Sequence, residues 1–214
     1  MDLEFLREVW PTYAVLLSNI GMFMLTRTAI AQFTAQGSLR TFLEEFFATM
    51  ELCIGVAELN GVYENQGKTA FAIVTFICCC WWYHQFGWAQ AHPNGPLEGF
   101  VFDTGRGDHT NLLVAQILGG VASSFYSQLI WSLHLTAEHT QNVLTDCQSP
   151  LMIGVFWGMR TGGYFNGILA SALSLGCKPH TYVQHFLVYW FGSFWGGSVG
   201  RFINHYVEHQ IPYS

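Results

Sequence analysis

Long apolar segments alternate with short polar ones along this chain. Asp, Glu, Lys and Arg are absent from four windows, which are residues 9–26, 69–97, 109–137 and 179–200. Because a helix needs about 20 mostly apolar residues to cross a bilayer, three of these windows are long enough outright. The first window is shorter, and we expect Arg27 near its end to extend toward the lipid headgroups. The pattern predicts an all-α, polytopic bundle of transmembrane helices.

The segments group into one membrane domain, residues 1–214. The predicted full-length helices cover residues 10–33, 39–59, 69–90, 110–135 and 181–203. A polar turn with two glycines is expected over 60–68. The helix over 39–59 carries four glutamates, and carboxylates in a membrane helix normally face a cavity or a partner group.

Two further segments are too short to cross a bilayer. One half-helix is predicted over 93–102, beginning with the Pro and Asn of His92-Pro93-Asn94. Another is predicted over 166–176, with Asn166 as its N-cap. Interrupted helices at corresponding places in two halves indicate a transport site, because exposed backbone is tolerated where it lines a cavity. An ordinary turn at His92-Pro93-Asn94 and a plain cap at Asn166 are the alternative interpretations.

Composition supports the membrane bundle and excludes other classes. Charged residues make up 10% of the chain and hydrophobic residues 51%, against about 25% charged in soluble domains. The formal net charge of −6 and the lack of a basic stripe exclude a nucleic-acid partner. The predicted partner is the lipid bilayer, and no cofactor is expected.

One motif favours an enzyme at first sight. His205-Tyr206-Val207-Glu208-His209 fits the H-x-x-E-H pattern of some zinc peptidases. Such an enzyme needs a third metal ligand and a substrate cleft, and no suitable partner helix precedes the motif. Exposed tail histidines are the simpler explanation, so we expect neither a metal site nor a catalytic residue.

Five segments in chain order resemble signature motifs of the aquaporin family. They are Glu45-Phe46-Phe47-Ala48-Thr49, His92-Pro93-Asn94, Ala115-Gln116-Ile117-Leu118-Gly119-Gly120, Thr161-Gly162-Gly163-Tyr164-Phe165-Asn166-Gly167-Ile168-Leu169 and Tyr189-Trp190-Phe191-Gly192. Each motif is weak alone, but their common order makes the resemblance specific. The altered boxes, the extra span over 10–33, Trp131-Ser132-Leu133, Cys147 and Cys177 resemble the superaquaporin branch, the aquaporin eleven and twelve group.

The second half of the chain departs from the family pattern. The first repeat, with its half-helix, is matched over 39–135, whereas the second is matched over 151–203. The family has two full helices between the third helix and the second box, and here only Ser149–Arg160 fills that place. The resemblance therefore implies an aquaporin-like bundle with an incomplete second inverted repeat, as expected of a splice variant or a truncated gene model.

The resemblance implies a passive channel for water or small neutral solutes such as glycerol and hydrogen peroxide. The alternative is a non-conducting, truncated family member that associates with other subunits through its 110–135 and 181–203 helices. A homo- or hetero-oligomer, a tetramer in the family, is implied as well. The superaquaporin likeness favours the endoplasmic reticulum or other intracellular membranes over the plasma membrane.

The same resemblance assigns the site residues. Box and pore positions fall on His92, Pro93, Asn94, Asn166, Gly167 and Ile168, and the selectivity position on Leu169. Structural roles fall on Glu45, Gln116, Gly192 and Gly196, with the glycines allowing close helix packing. Leu169 stands where water-selective members carry Arg, so no narrow cationic filter is expected. Gly167 replaces a proline, which predicts a looser second half-helix, and His92 implies pH-sensitive permeation.

Overall fold

The computed structural model describes residues 3–102, 108–144, 166–175 and 181–210. Within these ranges every regular element is helical and no strand occurs. The elements are α1 (Leu3–Phe33), α2 (Ser38–Gln85), α3 (Asn94–Phe102), α4 (His109–Trp131), α5 (Ala137–Leu144), α6 (Gly167–Ser174), α7 (Tyr182–His185), a π-helix (Phe186–Phe191) and α8 (Gly192–Gln210). The all-helical fold class predicted from the sequence is confirmed.

Two of the described helices are long and apolar enough to cross a membrane by themselves. They are the Val9–Phe33 part of α1 and the whole of α4, His109–Trp131. Large apolar side chains also face outward, as with Phe125 of α4 at 70% exposure and Phe202 of α8 at 72%. Soluble monomers rarely leave such extended apolar surface uncovered, so these faces fit contact with lipid tails.

Helix α2 is the longest element, and it corrects one prediction. The polar turn expected over 60–68 is present only as a kink at Gly67, where φ is 78° and two helical stretches meet, because the helix continues through residues 60–66. Gly61 lies inside the helix, and a Cβ atom there would stand 3.2 Å from Cγ2 of Thr12 in α1. The glycine thus allows close packing of α1 on α2, instead of making a turn.

The core forms where α1 and α4 pack against α2. Leu16 of α1, Cys53 and Leu59 of α2 and Trp131 of α4 are buried in one apolar cluster. Close approach of α4 to α2 depends on Gly119, since a Cβ atom at this position would lie 2.6 Å from the carbonyl oxygen of Phe46.

Arg27 differs from its prediction. It is 7% exposed and points into the bundle, where its guanidinium pairs with Glu51 of α2. The expectation that Arg27 extends toward the headgroups is therefore wrong, because a buried carboxylate on the neighbouring helix offers a stronger partner than the membrane surface.

The two short helices α3 and α6 stand where the sequence predicts half-helices. Helix α3 begins at Asn94 and α6 at Gly167, directly after Asn166. Helix α6 rests on α4, where Oγ of Ser124 donates to the carbonyl of Ala172 at 2.9 Å. Residues 145–165 and 176–180, which include Cys147, Cys177, the apolar stretch 151–159 and the Thr161–Phe165 part of the second box, lie outside the described residues.

The last helical segment is longer than predicted and changes its winding. It starts with a capping box at Thr181, passes through the π-helix Phe186–Phe191 and continues in α8 to Gln210. A π-helical turn changes the direction in which the following side chains point, and this turn contains Tyr189 and Trp190. The side chains of His205, Glu208 and His209 lie outside the described residues.

Candidate functional site

Asn166 is the N-cap of helix α6. Its Oδ1 accepts from the backbone N–H groups of Ile168 at 3.1 Å and Leu169 at 3.2 Å. Its side chain is buried, with 2% of the residue exposed. Asparagine is a preferred N-cap because its side-chain oxygen satisfies the N–H groups that have no partner inside the helix.

The amide nitrogen of Asn166 joins the two half-helices. Nδ2 donates to the carbonyl of Ala91 at 2.7 Å, across 75 positions of sequence. Ala91 immediately precedes the first box and adopts a left-handed conformation with φ of 49°. An amide has two N–H donors, and among the described residues only the one to Ala91 has an acceptor. The starts of α3 and α6 are thus held together inside the protein.

Glu45 holds the segment before the first box from the other side. Its Oε1 accepts from the N–H of Ala91 at 2.6 Å, and its Oε2 from the N–H of Gln90 at 2.9 Å. Gln116 of α4 donates to the same carboxylate at 2.7 Å and to the carbonyl of His92 at 3.1 Å. Glu45 is 1% exposed and Gln116 0%, so both act inside the bundle as structural partners of the box segment. The uncommon conformation of Ala91 persists because its N–H and its carbonyl are both fixed.

His92 takes the capping place at the start of α3. Its Nδ1 accepts from the N–H of Asn94 at 3.1 Å, as a side-chain acceptor does at an N-cap. In the neutral ring this leaves the proton on Nε2, since only one nitrogen of neutral imidazole is a donor. Pro93 is fully buried beside it. The half-helix therefore has a side-chain cap even though no asparagine stands at this position.

Asn94 faces the last helix. Its Nδ2 donates to the carbonyl of Ser193 at 2.9 Å, and its Oδ1 accepts from Oγ of Ser193 at 3.2 Å. Arg201 of α8 also reaches Glu98 of α3 at 3.2 Å. The side chain of Asn94, predicted from the box as a pore residue, thus ties α3 to α8.

Gly167, Ile168 and Leu169 are buried against neighbouring helices. A Cβ atom on Gly167 would stand 2.9 Å from the ring of Trp190, and one on Gly120 of α4 would stand 2.7 Å from Cγ2 of Ile168. Leu169, at the selectivity position, is 6% exposed and belongs to the apolar core cluster. These three residues contribute backbone N–H groups and packing, and Leu169 brings no charge to the site.

In α8 the closest glycine contact is made by Gly197, which is not one of the glycines predicted to pack closely. No atom of the described residues lies within 4 Å of a Cβ placed on Gly196, and on Gly192 such an atom meets only the carbonyl oxygen of Leu187 at 3.5 Å. The close contact is made by Gly197, whose Cβ would stand 2.9 Å from Nδ2 of Asn94. Within the described chain α3 thus meets α8 on the face that carries Gly197, and the close packing expected at Gly192 and Gly196 stays a prediction.

The sequence analysis did not identify the residues that connect α6 to the last helical segment. Oγ of Ser171 accepts from Nε1 of Trp190 at 3.0 Å and lies 3.0 Å from Nε2 of His185. Trp190 belongs to one of the five motifs, but its hydrogen bond to Ser171 depends on the π-helical turn, which the sequence pattern does not predict. Ser171 and His185 carry no motif. Ala91 likewise gave no signal, since an alanine in a left-handed conformation is uncommon.

The described part of the protein contains two cavities that bear on the site in different ways. One of about 330 Å³ is lined by Arg40, Glu44, Glu45, Trp88 and Ala89 together with the loop before α2. A smaller one of about 10 Å³ lies beside Glu58, Trp131 and His139. The larger cavity reaches the carboxylate that holds Ala91, and neither cavity is lined by His92 or Asn166.

Comparisons with known proteins point to one family. The chain is 25% identical to aquaporin-11 of Milnesium tardigradum over 90% of its own length and 88% of that protein. It is 21% identical to aquaporin-11 of Homo sapiens over 86% of the chain and 85% of that protein, and 21% identical to aquaporin-11 of Equus caballus over 86% and 88%. No family model and no solved structure matches the chain.

The first match also contains gaps. It runs over 237 positions, whereas 90% of this 214-residue chain is about 193 residues. The difference of about 44 positions is the total length of the gaps in this chain across the match.

These relatives support a membrane channel family and not an enzyme class, and they agree with an integral membrane protein. The five ordered motifs and the all-helical fold point the same way. The resemblance predicted from the sequence is confirmed: over most of its length this chain is similar, at 21–25% identity, to proteins named aquaporin-11, which fits the superaquaporin branch.

Proposed function

We propose that this protein is a passive channel for small neutral solutes, with the junction of α3 and α6 as its narrowest part. The observation that carries the proposal is the bond from Nδ2 of Asn166 to the carbonyl of Ala91. This bond supports an arrangement in which the N-termini of α3 and α6 meet inside the bundle. Each N-terminus has a side-chain cap, His92 for α3 and Asn166 for α6. Helix N-termini carry partial positive charge, so their meeting point disfavours cations and protons while neutral molecules pass.

Water, glycerol and hydrogen peroxide are the proposed solutes. Leu169 replaces the arginine of water-selective relatives, and its side chain packs in the apolar core. A pathway without a cationic filter discriminates less by size and hydrogen bonding, so solutes larger than water are admitted. The remaining N–H of Asn166 and the backbone of the box segments provide the polar groups that a solute needs in place of its hydration.

The cavity of about 330 Å³ supports an entrance on the side of the α1–α2 loop. Its walls include Glu45 and Ala89, and Ala89 is two residues before the carbonyl that Asn166 binds. Polar groups line this recess, among them the Arg40–Glu44 pair. Solutes entering here would reach the hydrogen-bond network of the first box directly.

Flux into proteoliposomes tests the proposal. Shrinkage or uptake is measured by stopped flow for water, glycerol and peroxide separately, with the variant Asn166→Asp and the control Glu64→Gln, an exposed residue of α2 that lines neither cavity. The channel predicts flux above empty vesicles for more than one solute, lost in Asn166→Asp and kept in the control. Strict water selectivity would contradict the proposed breadth, and absence of all flux would contradict the channel.

A second candidate is a non-conducting relative that associates with other subunits. The observation favouring it is the short stretch 149–160 at the place where the family has two full helices, because a pore wall would need both of them. In this case α4 and α8 would form the contact surface in an oligomer, tetrameric by family resemblance. Crosslinking in membranes separates the candidates, since this one predicts oligomers without flux.

The proposed location is the endoplasmic reticulum or another intracellular membrane. This proposal rests only on the likeness to the superaquaporin branch. Fluorescence microscopy of the tagged full chain beside markers for each membrane tests it, and labelling confined to the plasma membrane would contradict it.

A further inference from the structure

A buried ion pair connects the extra helix α1 to the body of the bundle. Nη2 of Arg27 lies 2.7 Å from Oε2 of Glu51, and the two side chains are 8% and 1% exposed. Ionisable residues inside membrane helices are costly and normally serve a purpose. Helix α1 precedes the first helix that resembles the family, so the family pattern assigns no task to Arg27.

The other nitrogen of the guanidinium reaches the end of α2. Nη1 of Arg27 donates to the carbonyl of Gln85 at 3.0 Å, and the guanidinium carbon lies 4.8 Å from the centre of the Phe86 ring. Gln85 is the last residue of α2, where carbonyl groups lack partners in the helix and attract a positive charge. Arg27 therefore caps the C-terminus of α2 from a different helix.

The segment that starts at this cap leads directly into the first box. Only Phe86–Ala91 separate Gln85 from His92, and Glu45 holds the far end through the N–H groups of Gln90 and Ala91. Gly87 and Ala91 both adopt left-handed conformations, with φ of 59° and 49°. The segment is thus fixed at both ends. Glu51 acts on its start through Arg27, and Glu45 binds its end directly.

We propose that Arg27, oriented by Glu51, is a positioning residue for the first half-helix. Through the carbonyl of Gln85 it sets the start of the segment that places Ala91 beside Asn166 and His92 at the start of α3. The inference rests on the proposed channel in one respect, since positioning affects flux only if the junction conducts. Helix α1 then serves the site directly and is more than a membrane anchor.

The guanidinium is the group that this role requires. The guanidinium directs one nitrogen to the carboxylate of Glu51 and another to the carbonyl of Gln85 at fixed angles, whereas the lysine ammonium is a single point charge. Arg27→Lys is therefore expected to keep the charge pair with Glu51 and to lose the cap on Gln85. This variant distinguishes positioning from charge.

The removal of one partner alone would leave an uncompensated buried charge and endanger folding. The double variant Arg27→Met, Glu51→Leu avoids this, because replacing a buried pair by apolar residues of similar size is often neutral for stability. It removes the cap on Gln85 while the bundle remains packed. The control is Glu64→Gln, Lys68→Gln, which also removes one acidic and one basic side chain of α2, both exposed and lining neither cavity.

Hydrogen–deuterium exchange of the full chain in nanodiscs provides a readout that does not depend on conduction. In Arg27→Lys and in the double variant, backbone amides of residues 86–92 are expected to exchange about tenfold faster, while those of α4 keep their wild-type rates. The control pair is expected to leave both regions unchanged. Unchanged exchange over 86–92 in both Arg27 variants would overturn the inference, as would a uniform increase across α4.

Flux measurements then separate this inference from the proposed channel. If the wild type conducts, the double variant at equal folded protein is expected to change the ratio of glycerol to water flux, which a purely stabilising pair would not alter. If the wild type does not conduct, the channel is rejected, and faster exchange over 86–92 still supports the positioning role of Arg27.

Discussion

Gly167 lies against the indole ring of Trp190, so that a Cβ atom on Gly167 would stand 2.9 Å from Cδ2 of the ring. The contact joins the first residue of α6 to the π-helix Phe186–Phe191, and Nε1 of Trp190 donates to Ser171 one turn further along α6. Any side chain at position 167, including the proline of the family box, would have to displace this ring. The glycine therefore serves packing at this position, beyond the loosening predicted from the lost proline.

Gly167→Ala is expected to destabilise the protein by about 1–3 kcal/mol, because inserting a methyl group into a packed site forces neighbouring groups to move. The same change at an open helical position is favourable by about 1 kcal/mol. Gly196→Ala provides that control, since no described atom lies within 4 Å of its added Cβ. The free energy of unfolding in mixed micelles is the measurement.

A third variant identifies the cause. In the background Trp190→Leu the cost of Gly167→Ala should shrink, because the ring that it meets is gone. An unchanged cost would assign the effect to the backbone of α6. Loss of stability in Gly196→Ala would instead indicate that the exposed glycine face packs against a second subunit.

Asn166 has two functions, a cap on α6 and a donor to Ala91, which a pair of variants affects differently. Asn166→Asp keeps an acceptor for the N–H groups of Ile168 and Leu169 but loses the donor to Ala91, whereas Asn166→Ala loses both. Loss of an N-cap costs about 1 kcal/mol, and an unsatisfied buried carbonyl costs about 1–3 kcal/mol. We therefore expect both variants to be less stable than the wild type in unfolding experiments, because Asn166→Ala loses the cap and the donor, and Asn166→Asp places a carboxylate oxygen against the carbonyl of Ala91. Equal stability of the alanine variant and the wild type would show that the cap contributes nothing.

Glu45 and Glu44 are adjacent in sequence and allow a matched comparison. Glu45→Gln places an N–H₂ group among three donors, so at least one bond to Gln90, Ala91 or Gln116 is lost. The expected cost is about 1–3 kcal/mol for the group left unsatisfied. Glu44→Gln weakens only a partly exposed pair with Arg40, and about 0.5 kcal/mol or less is expected. Similar losses for the two variants, measured by thermal unfolding in detergent, would contradict the role assigned to Glu45.

The sequence predicts local features of this site better than its contacts. The half-helix starts are foreseeable, because Pro93 and Asn166 are residue types that begin helices. The continuation of α2 through residues 60–66 is not, since it depends on Gly61 meeting Thr12 of a different helix. A polar, glycine-containing stretch reads as a turn unless that partner is known.

The directions in which side chains point inside the bundle could not be predicted from the sequence either. Arg27 was expected at the headgroups, and its inward orientation follows from Glu51, which is 24 residues away. The two bonds of the Asn94 side chain to Ser193 join positions 99 residues apart. Periodicity and motif spacing contain no information on such pairings, since they are set by how the helices cross.

Glu58, Trp131 and His139 form a second buried polar cluster, away from the half-helices. Oε1 of Glu58 accepts from Nε1 of Trp131 at 3.2 Å, and its Oε2 lies 3.0 Å from Nε2 of His139. The residues are 2%, 5% and 4% exposed, and they border the cavity of about 10 Å³. Because His139 belongs to α5 and Glu58 to α2, the cluster connects the end of α4 and the helix after it to the core.

A double-mutant cycle tests whether this cluster holds α5 in place. Glu58→Leu leaves Nε1 of Trp131 and Nε2 of His139 without their partner, at about 1–3 kcal/mol for each group. The additional change His139→Leu removes one of these unsatisfied groups, so the double variant should be more stable than the two single losses predict, with a coupling of about 1–3 kcal/mol. Glu138→Gln, beside His139 and partly exposed, is the control, with about 0.5 kcal/mol or less expected. Strict additivity of the two leucine substitutions would mean that Glu58 and His139 do not stabilise each other, and α5 would then depend on its apolar contacts alone.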